Sequence, residues 1–303
     1  MSRPPTPNTH PVEQFYPPPS GLRLRPRTQA NYRQQCNIVY AETHGIGLVM
    51  DCFAPRENPN GLAIVDVVAG AWHSDRIRLN EHIGLGPFDV LCEAGFTVFA
   101  VRPGSATLFT AADMVRHVHG AIRCIKGQAR EYEIDPARLG LFGASAGGHI
   151  AALAALAPEE AHPYSREHAR RHDSRIAAAA LLFAPTDFTA FDEFSVHEAQ
   201  GLPIGKLLFD DGTENHDLDE VRAALEGLSP VAQVHPEAPP FLLLHGTADT
   251  VVPHKHSLRF AEALEKEGVP VEVILKKGGG HPWPDTRPEL QRMVRWYEKQ
   301  LKG

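Results

Sequence analysis

Apolar positions along the chain follow two rhythms that alternate. Six short, dense or β-branched runs read as strands buried on both faces: Ala63 to Val68, Thr97 to Val101, Leu139 to Phe142, Ala177 to Phe183, Phe241 to Leu244 and Val271 to Leu275. Asn37 to Tyr40 and Gly47 to Phe53 read as a leading hairpin. Other stretches carry helical spacing. Met114, Val118, Ile122 and Ile125 share one face, and a small-residue helix runs from Gly148 through Ile150 and Leu153. His254 to Glu267 forms another helix, closed by Gly268, and Leu290, Met293, Val294, Tyr297 and Leu301 line the last one. Strands alternating with helices predict an α/β class, a mostly parallel eight-stranded sheet with helices on both faces.

Two intervals break the rhythm. Residues 1–34 are rich in Pro and Arg and lack periodicity, so they read as an extended arm; Pro17-Pro18-Pro19 also has the form of a polyproline ligand. Residues 35–303 then form one domain. Inside it, Asp187 to Val234 sets Phe191, Phe194, Leu207, Leu208 and Phe209 among many acids between two core strands, which predicts a lid or small inserted cap.

Composition narrows the function classes. The chain has 303 residues, 43% hydrophobic and 22% charged, enough to bury a large core. Its formal charge of -7 argues against nucleic acid as a partner, since such proteins need a basic face. No apolar run is long enough to span a membrane, and the first residues lack a signal-peptide core, so the expected location is cytoplasmic. Cys36, Cys52, Cys92 and Cys124 show no C-x-x-C pairing; Cys52 and Cys92 sit in apolar stretches and read as reduced, buried thiols. His168 and His172 lie one helical turn apart with His162 nearby. Their neighbours Arg166, Arg170 and Arg171 are cationic, so surface histidines are expected, with no metal and no cofactor.

The chemistry concentrates at Gly143-Ala144-Ser145-Ala146-Gly147, which follows an apolar strand and opens a helix. A serine hydroxyl is a poor nucleophile until a base takes its proton and the developing oxyanion is stabilised. A sharp strand-to-helix turn exposes Oγ and aims the next backbone N–H, on Ala146, at the substrate oxygen; glycines at 143 and 147 leave room for it. The acid and base should follow in the order Ser, acid, His. Asp249 stands just past the strand Phe241 to Leu244, and His281 follows the last strand on Gly278-Gly279-Gly280, glycines that read as loop flexibility. Carboxyl ends of parallel strands share one rim, so Ser145, Asp249 and His281 can converge there. Asp187, directly after another strand, is a rival acid whose other role is to cap the segment that follows. The second oxyanion donor is expected from the loop after Ala63 to Val68, on Ala71 or Trp72. Trp72, His73 and Trp283 are the candidates for the substrate pocket. His149, behind the serine, reads as structural.

These residues carry a resemblance. From about Val39 onward the chain resembles α/β-hydrolases of the carboxylesterase and feruloyl or acetyl-xylan esterase type, related to dienelactone hydrolases and prolyl oligopeptidases. The carrying segments are Val67 to Trp72, Glu133 to Gly140, the Ser145 turn, Leu228-Ser229-Pro230 and His245 to Pro253. The resemblance implies an α/β-hydrolase fold, with Ser145 as nucleophile, Asp249 as acid and His281 as base. The sequence departs from the group at the oxyanion loop, where Val68 and Ala71 replace a histidine and a glycine.

The expected activity is therefore hydrolysis of a small to medium ester, aromatic or carbohydrate-linked, through an acyl-enzyme. An amidase, arylformamidase-like or peptidase activity on the same residues is the alternative within enzymes. A binding module on a dead hydrolase scaffold is the alternative outside them, and the complete Ser, Asp and His set weighs against it. Oligomeric state is left open, a homodimer being compatible with the chain.

Overall fold

The computed structural model describes residues 31–189 and 204–302. Most of the expected arm, including Pro17 to Pro19, and Phe191 and Phe194 of the insertion lie outside the described residues. Eight strands form one sheet: β1 (Tyr32–Thr43), β2 (Ile46–Pro55), β3 (Ala63–Val67), β4 (Thr97–Val101), β5 (Leu139–Ala144), β6 (Ala178–Leu182), β7 (Phe241–Gly246) and β8 (Val271–Lys276). Their order is β1-β2-β4-β3-β5-β6-β7-β8. Only β2 runs antiparallel to its neighbours, and β4, β3, β5, β6, β7 and β8 pair in parallel. The leading strand starts at Tyr32, so Tyr32 to Gln34, read as the end of the arm, belong to the sheet.

Side chains of a strand alternate between faces, and here each face has its own core. Ala63, Val65, Leu141, Leu181, Phe241 and Leu243 pack with α3 (Ala111–Gly127), α4 (Ala146–Leu156) and α7 (Lys255–Lys266). Ile64, Phe142, Ala180, Leu182, Leu242 and Leu244 pack with α1 (Arg76–Leu85), α2 (Pro87–Glu93) and α8 (Arg287–Lys302). The four apolar residues expected on one face of α3 are all fully buried. Its start is fixed by a capping box between Thr110 and Asp113. The described part of the insertion contributes two helices, α5 (Ile204–Leu208) and α6 (Leu218–Leu228).

One tyrosine ties the second face to the strand that carries the serine. Tyr297 of α8 is fully buried; its hydroxyl donates to the Leu141 carbonyl at 2.5 Å and accepts the Ala180 N–H at 3.1 Å. Among the described residues no helix is long and apolar enough to cross a membrane.

Candidate active site

Ser145 sits between β5 and α4 with φ 52° and ψ −125°, a conformation side chains rarely tolerate. The surroundings enforce it. A Cβ on Gly143 would lie 2.4 Å from the Gly147 carbonyl oxygen, and one on Gly147 would lie 2.1 Å from that of Val67. Glycine is required at both positions because backbone meets backbone there. The Ser145 N–H donates to Leu182 of β6 and the Gly147 N–H to Ala69, so the turn is held by strand β6 on one side and the loop after β3 on the other.

The structure brings the expected base and acid to this serine. His281 Nε2 is 2.9 Å from Ser145 Oγ, and its Nδ1 is 2.7 Å from Asp249 Oδ2. With Nδ1–H donated to the carboxylate, Nε2 is left to accept the hydroxyl proton. Asp249 Oδ1 accepts the N–H groups of Val251 and Val252, each at 2.9 Å, and His245 Nε2 stands 3.4 Å from Oδ2. Burial works against the carboxylate's charge. The hydrogen bonds from His245, His281 and Val252, with the charge of the His281 ring, outweigh it and hold Asp249 well below the usual carboxylate range.

Of the three glycines before His281, Gly278 has a positive φ of 71° and Gly279 lies against Gly246 of β7. A Cβ on Gly246 would lie 2.3 Å from the Gly279 carbonyl oxygen. Ala248 donates to that same oxygen, at 2.9 Å, and Thr247 to Lys276. The loops after β7 and β8 are thus clamped backbone to backbone, which sets the spacing of Asp249 and His281. Asp187 is placed elsewhere: Oδ1 accepts from the backbone and hydroxyl of Thr189, and Oδ2 lies 3.3 Å from Arg259. It does not reach His281.

The loop after β3 closes into a two-residue turn. Gly70 and His73 exchange N–H···O bonds of 3.0 Å, and the central residues Ala71 and Trp72 both have positive φ, 47° and 57°. The Ala106 N–H donates to the Trp72 carbonyl at 2.9 Å, and Ser74 bonds Ser105 Oγ and the Val68 carbonyl. Among the described residues, the N–H groups of Ala71, Trp72 and Ala146 donate to no other group, leaving them available to an incoming oxygen. His82 braces the same loop from below. Burial opposes its charge, but Asp66, 2.8 Å away, raises its pKa, with the Ala69 carbonyl a smaller contribution in the same direction.

The pocket expectations need correction. Trp72 is 2% exposed and its indole N–H donates inward to His149 Nδ1 at 2.9 Å. Trp283 is also buried, with its N–H on Glu289 at 3.2 Å and its ring edge-on to Phe183. Neither ring is an open wall; both are supports. His73 is partly exposed and is fixed in place by its backbone. Phe183, with φ 42° at the end of β6, turns its ring onto His281 at a centroid distance of 4.2 Å. Phe183, His82 and His245 were not among the site residues expected from the sequence. His168 and His172 face each other at 5.7 Å beside Gly127.

A serine in a strained strand-to-helix turn, with acid and histidine from later strand ends of a mostly parallel sheet, defines an α/β-hydrolase. The profile of the BD-FAE family matches residues 50–264, and the chain belongs to that family. It is 28% identical over 251 residues to a probable carboxylic ester hydrolase, LipM, of Mycobacterium tuberculosis, covering 82% of this chain and 55% of the relative. The esterase LipQ of the same organism is 28% identical over 207 residues, 68% of this chain and 46% of LipQ. The chain thus spans about half the length of these relatives. Among solved structures, a truncated carbohydrate esterase from gut microbiota superposes with a TM-score of 0.76 at 23% identity, covering 91% of this chain and 99% of that one, a likeness of fold.

Proposed function

We propose that the protein is a carboxylic ester hydrolase acting through an acyl-enzyme on Ser145. In the first step Oγ attacks the ester carbonyl while His281 Nε2 takes the hydroxyl proton. Ala146 N–H and the turn amides at Ala71 and Trp72 receive the oxyanion, and His281 returns the proton to the departing alcohol. Water then attacks the acyl group, His281 takes its proton, and the acid leaves as Ser145 regains its own. Asp249 keeps the imidazole in the tautomer this sequence needs. The substrate is a small to medium ester, free of nucleic acid or membrane partners, and no cofactor is called on.

The observation that carries this reading is the continuous line from Ser145 Oγ through His281 to Asp249 at 2.9 and 2.7 Å. Membership of the BD-FAE family and relatives named as ester hydrolases support it. Fluorophosphonate labelling and turnover of p-nitrophenyl acetate test it. The wild type should be labelled and active, and S145A neither; labelled, active S145A would overturn the reading. Matched ester and amide substrates should show ester turnover ahead of amide, and the reverse order would make the enzyme an amidase.

A further inference from the structure

His149 lies one turn into α4, behind the serine, and is fully buried. It is joined on both sides. An indole nitrogen can only donate, so the 2.9 Å bond from Trp72 Nε1 requires an unprotonated Nδ1. The proton therefore sits on Nε2, which donates to the Leu228 carbonyl at 2.7 Å. A neutral ring satisfies both bonds, and burial keeps it neutral by pushing its pKa down to about 4.

The two partners belong to different functional parts. Trp72 is a central residue of the turn that offers its amides to the oxyanion. Leu228 is the last residue of α6, where the inserted segment rejoins the fold. The other end of that segment reaches the same place: the Phe188 ring packs on His149 at 4.8 Å and on Trp72 at 6.1 Å. The Phe188 N–H also donates to Ser229 Oγ at 2.8 Å, so both ends of the insertion are tied together against the imidazole.

We propose that His149 is a positioning residue, holding the Trp72 turn in oxyanion-binding geometry and locking that turn to the two ends of the inserted segment. The inference rests on the esterase reading. It goes further in assigning the control of the turn to a residue that touches no substrate.

Two substitutions separate the two bonds. Asn places a side-chain oxygen near the position of Nδ1, so H149N keeps an acceptor for Trp72 and loses the Leu228 bond. Gln places its amide near Nε2, so H149Q keeps the Leu228 bond and loses the Trp72 acceptor. Kinetics on p-nitrophenyl acetate use the full chain, with near-UV circular dichroism and a thermal melt as the check on folding. H149Q should lose about 10- to 100-fold in kcat with little change in KM, the scale of a misplaced oxyanion donor. H149N should keep a kcat at least about fivefold above that of H149Q and show its deficit in KM, by the same geometric argument. W72F should match H149Q, and the double variant W72F/H149Q should be no worse than either, because both remove one bond.

Equal losses in H149N and H149Q, multiplying losses in the double variant, or unchanged kcat in all of them would overturn the proposal. Should H149Q fail to fold, W72F against H149N carries the same comparison. S145A distinguishes the two levels. If S145A is still labelled by fluorophosphonate, the esterase reading fails. If S145A is unlabelled and the His149 variants behave like wild type, only the positioning role fails.

Discussion

Replacing Asp249 by Asn leaves shape nearly untouched and inverts the proton logic of the site. Oδ1 is pinned by two backbone donors, Val251 and Val252, both at 2.9 Å, so the amide oxygen of an asparagine should stay there. A flip would set the NH2 group against those N–H groups, at about 1–3 kcal/mol for each unsatisfied donor. The NH2 group is thereby forced into the place of Oδ2, 2.7 Å from His281 Nδ1. A donor there demands an unprotonated Nδ1. The ring proton then moves to Nε2, 2.9 Å from Ser145 Oγ, where it blocks proton uptake. The same inversion in a serine protease costs about 10⁴-fold in kcat, or about 5.5 kcal/mol of barrier. D249N should therefore lose about 10³- to 10⁴-fold in kcat on p-nitrophenyl acetate, with KM little changed and circular dichroism of the wild type. A D249N enzyme within tenfold of wild type would refute the idea that the carboxylate sets the tautomer. Its acid response should change too. The folded carboxylate titrates below its unfolded value, so its stabilisation is present above about pH 4 and is lost as pH falls toward the folded pKa. D249N should lack that limb.

Y297F leaves the Leu141 carbonyl and Ala180 N–H without their bridge, and urea unfolding should show a loss of about 2–4 kcal/mol; a loss under about 0.5 kcal/mol would mean the two strands close the gap. G147A drives a methyl into the Val67 carbonyl oxygen, so fluorophosphonate labelling should disappear even where the protein stays folded; normal labelling would show that the turn has slack. His149 binds its proton near pH 4 when folded and at about 6.5 when unfolded. Stability from its neutral form is therefore full above about pH 6.5 and falls by about 1.4 kcal/mol per pH unit down to about 4, roughly 3 kcal/mol in all. Wild type should lose more denaturant resistance than H149N between pH 7.5 and 4.5, and parallel losses would contradict a neutral buried imidazole.

The strands from β3 to β8, the faces of α3 and α8 and the extent of α7 were legible because a buried strand or an amphipathic helix writes its burial into local spacing. Ser145, Asp249 and His281 were legible for a related reason: each stands at the end of such a run. α1 and α2 were not. In α1 the apolar residues form no stripe, and only Leu79 and His82 are buried; α2 is seven residues long and starts on Pro87. The supports of the site were hidden by distance along the chain. Trp72 and His149 are 77 residues apart, and their bond exists only because the β3 loop folds over α4. Phe183 looked like one more strand residue, yet its positive φ ends β6 and delivers its ring to His281. Trp72 and Trp283 invited a pocket role because aromatic residues near a rim often have one. Their single N–H donors found partners inward, and that decided their direction.

The turn proposed to receive the oxyanion is built on two non-glycine residues at positive φ, Ala71 and Trp72. Two non-glycine residues at positive φ carry a strain of about 1–2 kcal/mol each. Opposing it are the Gly70–His73 pair, the Ala106 bond to the Trp72 carbonyl, the two Ser74 bonds and the Trp72–His149 bond. At about 0.5–1.5 kcal/mol apiece, six such bonds are enough to offset the strain. Glycine would remove the strain and, at position 72, the anchor as well. A side chain at that position converts a permissive turn into a held one, and the hold runs through His149 to the ends of the insertion. On the proposed mechanism, the amides that would receive the oxyanion are set by packing behind the serine, through residues a substrate never meets.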